Sequence, residues 1–360
     1  MTRGGVQEQA RRAAAAAGAT LAALVGLVPG ARAAAPARYL PPDGAPYHAE
    51  EVRVRTSGLF SLGGTFTTPL DGHRHPAIVL ISGAGKQDRD SAIEGVDYRP
   101  FYDIADTLSR RGIAVLRLDD RGVGSSTGTL DPPMSVVEDT QAVLEFLRAR
   151  PDVDRGRLGL LGFHEGSWVA ETIAAGDPEL AAIVLMAPPG SGADLAREQR
   201  LGSPRAAPAD PSYTALIEAW ERGVASDRWK SDSSPAGPNE IARGVRCPVL
   251  ILEGSQTGGS APVAPADSLT APFRAGGNRE VSVQSFEGLD ALFLNAADFT
   301  EPGASSPFTP KLPPRVLGTL ADWFGSKLDP GSEPRLTQPR PFPHRRSHGA
   351  RPHRRRRHSP

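Results

Sequence analysis

The chain has 360 residues, 39% of them apolar, and contains 35 prolines and 39 glycines. This length accommodates one large domain or two ordinary ones, and the prolines and glycines indicate many turns and long loops. The formal net charge is zero, but nine arginines follow Glu333 with no acidic residue among them. Without this tail and the first 33 residues, 28 basic and 40 acidic residues remain, a net charge of about −12. An acidic body with a basic tail excludes a dedicated nucleic-acid-binding domain.

The first 33 residues have the pattern of an export signal. Three arginines precede a run without charge from Ala13 to Val28, and Ala31-Arg32-Ala33 is a small-x-small cleavage site. The run is short for a bilayer span, so we predict no transmembrane segment once the signal is removed. An alanine-rich structural helix is the alternative. We expect an exported protein, periplasmic or extracellular, with a linker over residues 34–46.

Buried-looking strands then alternate with amphipathic helices. The predicted strands are "EVRVRTSG", "LGGTFTTP", "HPAIVLISG", "IAVLRL", "RLGLLGF", "LAAIVLM", "CPVLILEGS" and "EVSVQSF". The predicted helices are "FYDIADTLSRRG", "SVVEDTQAVLEFLRAR", "SWVAETIAAG" and "VLGTLADWFGSKL". Continuous apolar strands separated by helices indicate an α/β fold with a mostly parallel central sheet covered on both faces.

Two segments interrupt or follow this alternation. Residues 191–245 are rich in Pro, Ala, Ser and charge, which predicts a short cap insertion over the C-terminal edge of the sheet. Residues 329–360 form a predicted disordered tail rich in His and Arg. The single cysteine, Cys247, excludes an intrachain disulfide and is predicted to be a packed thiol. We therefore place one domain over residues 47–328.

Five motifs carry a resemblance to a known family. In order they are "VLISGAGKQDRD", "RRGIAVLRLDDRGVGSSTG", "LLGFHEGSWVA", "AIVLMAPPG" and "CPVLILEGS". They resemble the bacterial α/β-hydrolases with a serine aminopeptidase- or esterase-like domain, over roughly Tyr47 to Leu328. The resemblance implies the α/β-hydrolase fold, a cap, and hydrolysis of esters or amides by a Ser-Asp/Glu-His triad.

The resemblance also locates the triad positions, and none of the three carries the usual residue. The nucleophile position, between the two glycines of "GFHEG", is His164. The acid position after "CPVLILEG" is Thr257, and the histidine position in "FEGLDALFL" is Ala291. Oxyanion-hole-like backbone amides are expected at Ala84 and Glu165.

A second observation does not depend on the resemblance. No histidine lies between Glu165 and Pro343, the region that would supply the general base. His73 and His75 precede a strand and so lie at the edge opposite the expected site. We therefore predict an inactive homologue, a pseudoenzyme with a pocket for a small-molecule ligand or a surface for an unidentified protein partner. The alternative is a working serine-hydrolase-like esterase or peptidase that uses non-standard residues.

Several other readings were weighed against this one. His164 can act as a nucleophile or base near pH 7, and it can pair with Ser167 three residues later. A metal site joining His164 to Asp88 or Asp90 rests on weak evidence, so we predict no metal and no cofactor. The stretch Gln87–Asp90 is predicted to order its loop through Arg–carboxylate pairing. The turn over residues 119–124 lacks a nucleotide-binding signature.

Overall fold

The computed structural model of the chain describes residues 36–56, 60–83, 85–93, 97–129, 134–188, 238–255, 266–295 and 310–329. Several predicted features lie outside these ranges: the signal over 1–33, cap residues 191–237, the tail from residue 330, Ala84 and Thr257. These assignments stay predictions.

One sheet of eight strands runs through the described residues. Its strands are β1 (Tyr47–Arg55), β2 (Ser61–Pro69), β3 (His75–Ile81), β4 (Ala114–Leu118), β5 (Val153–Phe163), β6 (Ala182–Met186), β7 (Val249–Gly254) and β8 (Val281–Phe286). The helices are α1 (Pro100–Arg110), α2 (Met134–Arg148), α3 (Glu165–Gly176), α4 (Pro238–Gly244), α5 (Ala266–Ala275) and α6 (Pro314–Lys327). None of these helices is long and apolar enough to cross a membrane.

The strand order identifies the fold. The sheet runs β1-β2-β4-β3-β5-β6-β7-β8. β2 is antiparallel to both of its neighbours, and every later pair from β3·β4 to β7·β8 is parallel. This is the α/β-hydrolase fold, so the predicted fold class is confirmed. Because β3, β5, β7 and β8 are parallel, the loops that follow them meet at one edge of the sheet, where ligands bind in such folds.

Burial on both faces explains the apolar strands. All seven residues of β3 and all five of β6 are buried. One face packs on α1 and α6, with Phe101 and Phe324 in its core. The other packs on α2, α3 and α5, with Ile173 and Phe273 in its core. Each fully buried side chain of this kind contributes about 1.5–3 kcal/mol, so both faces hold the sheet rigid beneath the site.

Two helices and one turn were not predicted. α5 contains Pro272, which breaks the helical pattern in the sequence. α4 lies in the last part of the predicted cap, and a Cβ added to Gly244 would lie 2.8 Å from the Ala175 Cβ on α3. In the predicted linker, residues 37–39 form a 3₁₀ helix whose Tyr39 ring is buried beneath the Arg89 guanidinium. These segments therefore pack against the domain.

Candidate active site at the elbow

The turn between β5 and α3 carries the central residue of the site. β5 ends at Phe163 and α3 begins at Glu165, so His164 alone makes the turn, with φ 50° and ψ −120°. A non-glycine residue in this region costs about 1–3 kcal/mol, and such strain is concentrated at functional sites. The sharp strand-to-helix turn places one side chain at the sheet edge, as a nucleophile elbow does.

The two glycines of the elbow are required by backbone packing. A Cβ on Gly162 would lie 2.3 Å from the Gly166 carbonyl oxygen. A Cβ on Gly166 would lie 2.3 Å from the Ile81 carbonyl oxygen of β3. Both neighbours are backbone atoms that cannot rotate away, so only glycine fits at either position. The elbow is thus pressed against the end of β3.

The His164 imidazole is held by contacts on two sides. Its ring lies edge-on to the Phe163 ring, with centroids 4.7 Å apart. The backbone carbonyl of Ala291 lies beside the ring, where it favours the protonated form. Burial lowers the pKa of His164 from its ordinary value, and the Glu165 charge and the Ala291 carbonyl only partly oppose this shift. The imidazole is therefore neutral at pH 7.

The loop after β8 brings Ala291 to the elbow. The buried Asp290 accepts hydrogen bonds at its Oδ1 from the Leu292 and Leu294 backbone N–H groups, both at 2.8 Å. A Cβ on Gly254, the last residue of β7, would lie 2.1 Å from the Asp290 carbonyl oxygen. Two of the three predicted triad-equivalent positions, His164 and Ala291, are thus in contact.

Ser167 does not pair with the elbow histidine through its hydroxyl. Its Oγ donates to the Gly162 carbonyl oxygen at 3.0 Å, and the side chain is fully buried. Its backbone N–H donates to the His164 carbonyl oxygen at 2.9 Å, as expected in the first turn of a helix. The weighed His164–Ser167 catalytic pair is therefore not formed.

The exit of β3 and the N-terminus of α3 both lie beside the elbow. A Cβ on Gly83, two residues past the end of β3, would lie 3.1 Å from the His164 Cβ. Glu165 begins α3, so its backbone N–H lies at the helix N-terminus, where such groups favour negative charge. The elbow and the exit of β3 are therefore in close contact.

The carboxylates weighed as metal ligands have other partners. Asp88 pairs with Arg38 at 2.6 Å. Asp90 pairs with both Arg99 and Arg117. Within the described residues, no group of three or more His, Cys, Asp or Glu side chains has a metal-holding arrangement.

The remaining histidine of interest lies at the opposite edge. His75 is the first residue of β3, and its Nδ1 lies 3.1 Å from the Gly112 carbonyl oxygen. It is therefore separated from the elbow by the length of the strand, as the sequence predicted.

One buried acid at the elbow edge of the sheet, Glu253, was not singled out from the sequence. Glu253 follows four apolar residues of β7, and burial raises its pKa to about 7. Its Oε2 has no hydrogen-bond partner among the described residues. The sequence signal that could have identified Glu253 is an acidic residue at the end of an otherwise apolar strand. Cys247 lies just before the start of β7, at the other end of that strand, and burial raises the pKa of its thiol to about 12, which makes it unreactive, in line with a packed thiol.

Comparisons with known proteins agree with the geometry. The profile of the X-Pro dipeptidyl-peptidase (S15) family matches residues 58–219. The esterase EstD of Thermotoga maritima is 26% identical over 297 residues, which cover 78% of this chain and 68% of that protein. Together these matches indicate that the chain is related to hydrolases with this fold.

Solved structures show the same fold at low identity. The Pyrococcus furiosus esterase Pf2001 superposes with a TM-score of 0.56 and 14% identity, covering 83% of this chain and 99% of that one. The α/β-hydrolase GrgF from Penicillium sp. sh18 gives a TM-score of 0.52 at 16% identity, covering 78% of this chain and 99% of that one.

These comparisons correct one prediction. The relatives are named esterases and hydrolases, which supports a hydrolase and gives no support to inactivity. The prediction of a non-enzyme, a pseudoenzyme with a degenerate triad, is contradicted by them. The alternative prediction, a hydrolase that uses non-standard residues, agrees with them better. The absence of the usual side chains at three positions is therefore not sufficient to predict inactivity.

Proposed function

We propose that this chain hydrolyses carboxylic esters at the elbow, with His164 as the group that accepts the proton. In this proposal the triad-equivalent positions are His164, Thr257 and Ala291, so the reaction proceeds without a serine nucleophile. The observation that carries the proposal is the strained elbow itself. A conformation that costs about 1–3 kcal/mol is retained at His164, in contact with the loop that bears Ala291.

The Ala291 carbonyl beside the ring defines the proton chemistry that we propose for it. A neutral imidazole has one N–H and one acceptor nitrogen. In the proposed arrangement the N–H faces the Ala291 carbonyl and the other nitrogen accepts the proton. The lowered pKa keeps the ring in this neutral form at pH 7, so the base is available without prior deprotonation.

The proposed reaction is a single displacement by water. The His164 imidazole takes a proton from a water molecule while the water oxygen forms a bond to the ester carbonyl carbon. The resulting oxyanion lies toward the Glu165 backbone N–H, with the Ala84 amide proposed as its partner. The carbon–oxygen bond to the alcohol then breaks, and the imidazolium returns its proton to the departing alkoxide. The products are a carboxylic acid, or its carboxylate, and an alcohol.

Esters are favoured over amides by the leaving group. An imidazole that acts alone transfers one proton at a time. An alkoxide can leave before it is protonated, whereas an amine must be protonated as the carbon–nitrogen bond breaks. The relatives named esterases agree with this choice. General acid–base catalysis by a positioned side chain contributes about 10²–10⁴-fold, which sets the rate scale expected here.

The test is the hydrolysis of short p-nitrophenyl esters by the wild-type chain and by His164→Ala. We expect turnover above the buffer rate for the wild type and a loss of about 10²-fold or more in the variant, because the base is removed. The matched control is His73→Ala, an exposed histidine at the opposite edge of the sheet, which should leave turnover unchanged. Absence of wild-type turnover, or equal losses in both variants, would contradict the proposal.

A further inference from the structure

A buried ionic cluster lies beneath the β3 exit loop, the segment between the end of β3 at Ile81 and the start of α1 at Pro100. Its centre is Arg89, whose side chain is 1% exposed. The guanidinium binds Asp119 through Nε at 3.1 Å and Nη2 at 2.6 Å, and binds Glu51 through Nη1 at 2.5 Å. Hydroxyl groups of Thr65 and Ser125 complete its shell, both at 2.8 Å. The Arg89 cluster, defined by these five residues, joins β1, β2 and the turn after β4 to this one loop.

The backbone of the loop is tied to the same turn. The Arg89 N–H donates to Asp119 Oδ1 at 2.9 Å. The Gln87 N–H donates to Asp120 Oδ2 at 2.8 Å, and the Asp120 N–H donates to the Gln87 carbonyl oxygen at 3.0 Å. The Ser82 hydroxyl donates to Asp120 at 3.2 Å. The loop is therefore fixed at its start, middle and end.

A second buried pair extends this attachment. Asp90 is fully buried and pairs with Arg117, a side chain of β4 that is 1% exposed. The backbone carbonyl oxygen of Asp90 accepts a hydrogen bond from the Phe101 N–H at 3.1 Å, and Phe101 lies in the first turn of α1. Two consecutive loop residues, Arg89 and Asp90, thus each form a buried ion pair before α1 begins.

Burial of so many charges is poorly explained by stability alone. The desolvation of buried ion pairs often exceeds their attraction, and well-packed apolar residues frequently stabilise such a position better. What a fully hydrogen-bonded guanidinium does supply is a fixed direction for every group bound to it. The group fixed here is the loop that begins at Gly83, which lies against the His164 side chain.

We propose that Arg89 is a positioning residue, which holds the backbone of the β3 exit loop against the elbow so that its amide groups face the reacting carbonyl. This inference rests on the proposed hydrolase function. Arg89 is buried and does not touch substrate. It acts through the loop, and a displacement of the loop by about 1 Å costs as much as 10²-fold in rate.

The test compares Arg89→Lys with Arg121→Lys. Arg121 is also buried and bidentate, to Asp139 at 2.6 and 2.7 Å, but that pair joins the β4 turn to α2 and not to the loop. A lysine keeps the charge and loses the fork in both variants. We expect similar falls in the thermal midpoint, whereas kcat falls about 10-fold or more only in Arg89→Lys, with KM within about 2-fold.

Amide hydrogen exchange over residues 85–91 gives a readout that does not depend on turnover. Faster exchange in Arg89→Lys than in Arg121→Lys would support the anchoring of the loop. Unchanged exchange, or a fall in kcat of the same size in both variants, would overturn the inference. If the wild type shows no turnover, the proposed function fails, and exchange alone then decides whether Arg89 anchors the loop. If Arg89→Lys does not fold, Asp120→Asn replaces it, with a smaller fall in kcat of about 3-fold expected and no fall contradicting the inference.

Discussion

The triple variant His164→Ser/Thr257→Asp/Ala291→His is expected to be labelled covalently by a fluorophosphonate, whereas the wild-type chain is expected to remain unlabelled. The variant places a hydroxyl on the strained elbow and an imidazole at the residue whose carbonyl now contacts the elbow side chain. The wild type offers no hydroxyl there, because Ser167 is buried and its Oγ donates to Gly162. Mass spectrometry of the intact chain measures the labelling.

Turnover should change with the labelling. Removal of one triad member typically costs about 10⁴-fold or more, so an assembled triad is expected to hydrolyse esters at least about 10²-fold faster than His164 does alone. The double variant Thr257→Asp/Ala291→His keeps His164 and is the matched control, which should stay unlabelled. A folded triple variant that remains unlabelled would show that these positions are not equivalent to the triad.

Gly166→Ala is expected to cause the largest loss of stability among single methyl additions at the elbow. Its Cβ would lie 2.3 Å from the Ile81 carbonyl oxygen and 2.5 Å from that of Ser82, both backbone atoms of the β3 exit. Overpacking usually costs about 1–3 kcal/mol where side chains can shift, and here they cannot, so we expect a loss above about 3 kcal/mol in the free energy of unfolding.

The control for that variant is Gly318→Ala in α6, where an added Cβ has no atom within 4 Å. Alanine in a helix interior is favoured over glycine by about 0.5–1 kcal/mol, so this variant should be slightly stabilised. Urea unfolding of both variants measures the difference. A Gly166→Ala chain as stable as the wild type would mean that the elbow is not pressed against β3 as described.

The fold was predictable because its strands are buried on both faces. Runs such as "AIVLI" in β3 and "AIVLM" in β6 have no polar positions, which in an α/β alternation indicates a parallel sheet. Two helices, α4 and α5, were not predicted because their sequences lack a recognisable helical pattern. α5 contains an internal proline, and α4 is only seven residues long, too short for a helical period to be recognised.

The site was predictable in position and only partly in arrangement. The spacing of Gly162 and Gly166 located the elbow, because a sharp turn requires glycine on both sides of its central residue. The resemblance implied that His164 and Ala291 lie close together, but it did not show that the backbone of Ala291 faces the ring, which follows from the Asp290 turn. Nor could sequence spacing show that Glu51 of β1 and Thr65 of β2 bind the Arg89 guanidinium.

The correction of function follows from the comparisons with known proteins. Three non-standard residues at aligned positions led to a prediction of inactivity, because the reaction of the resembled family requires all three side chains. The relatives point to hydrolysis instead. In the reaction proposed above, a neutral histidine on the retained elbow replaces the missing groups, at a lower rate than a complete triad.

The measurement that tests this most directly is the pH dependence of kcat/KM for ester hydrolysis by the wild type, with the His164→Ala profile subtracted. Neutral imidazole is the active form and burial lowers the pKa of His164, so kcat/KM should rise with pH through an apparent pKa below the ordinary 6.5 and then remain level. A difference profile that is zero, or one that shows no ionisation between pH 4 and 8, would contradict His164 as the base.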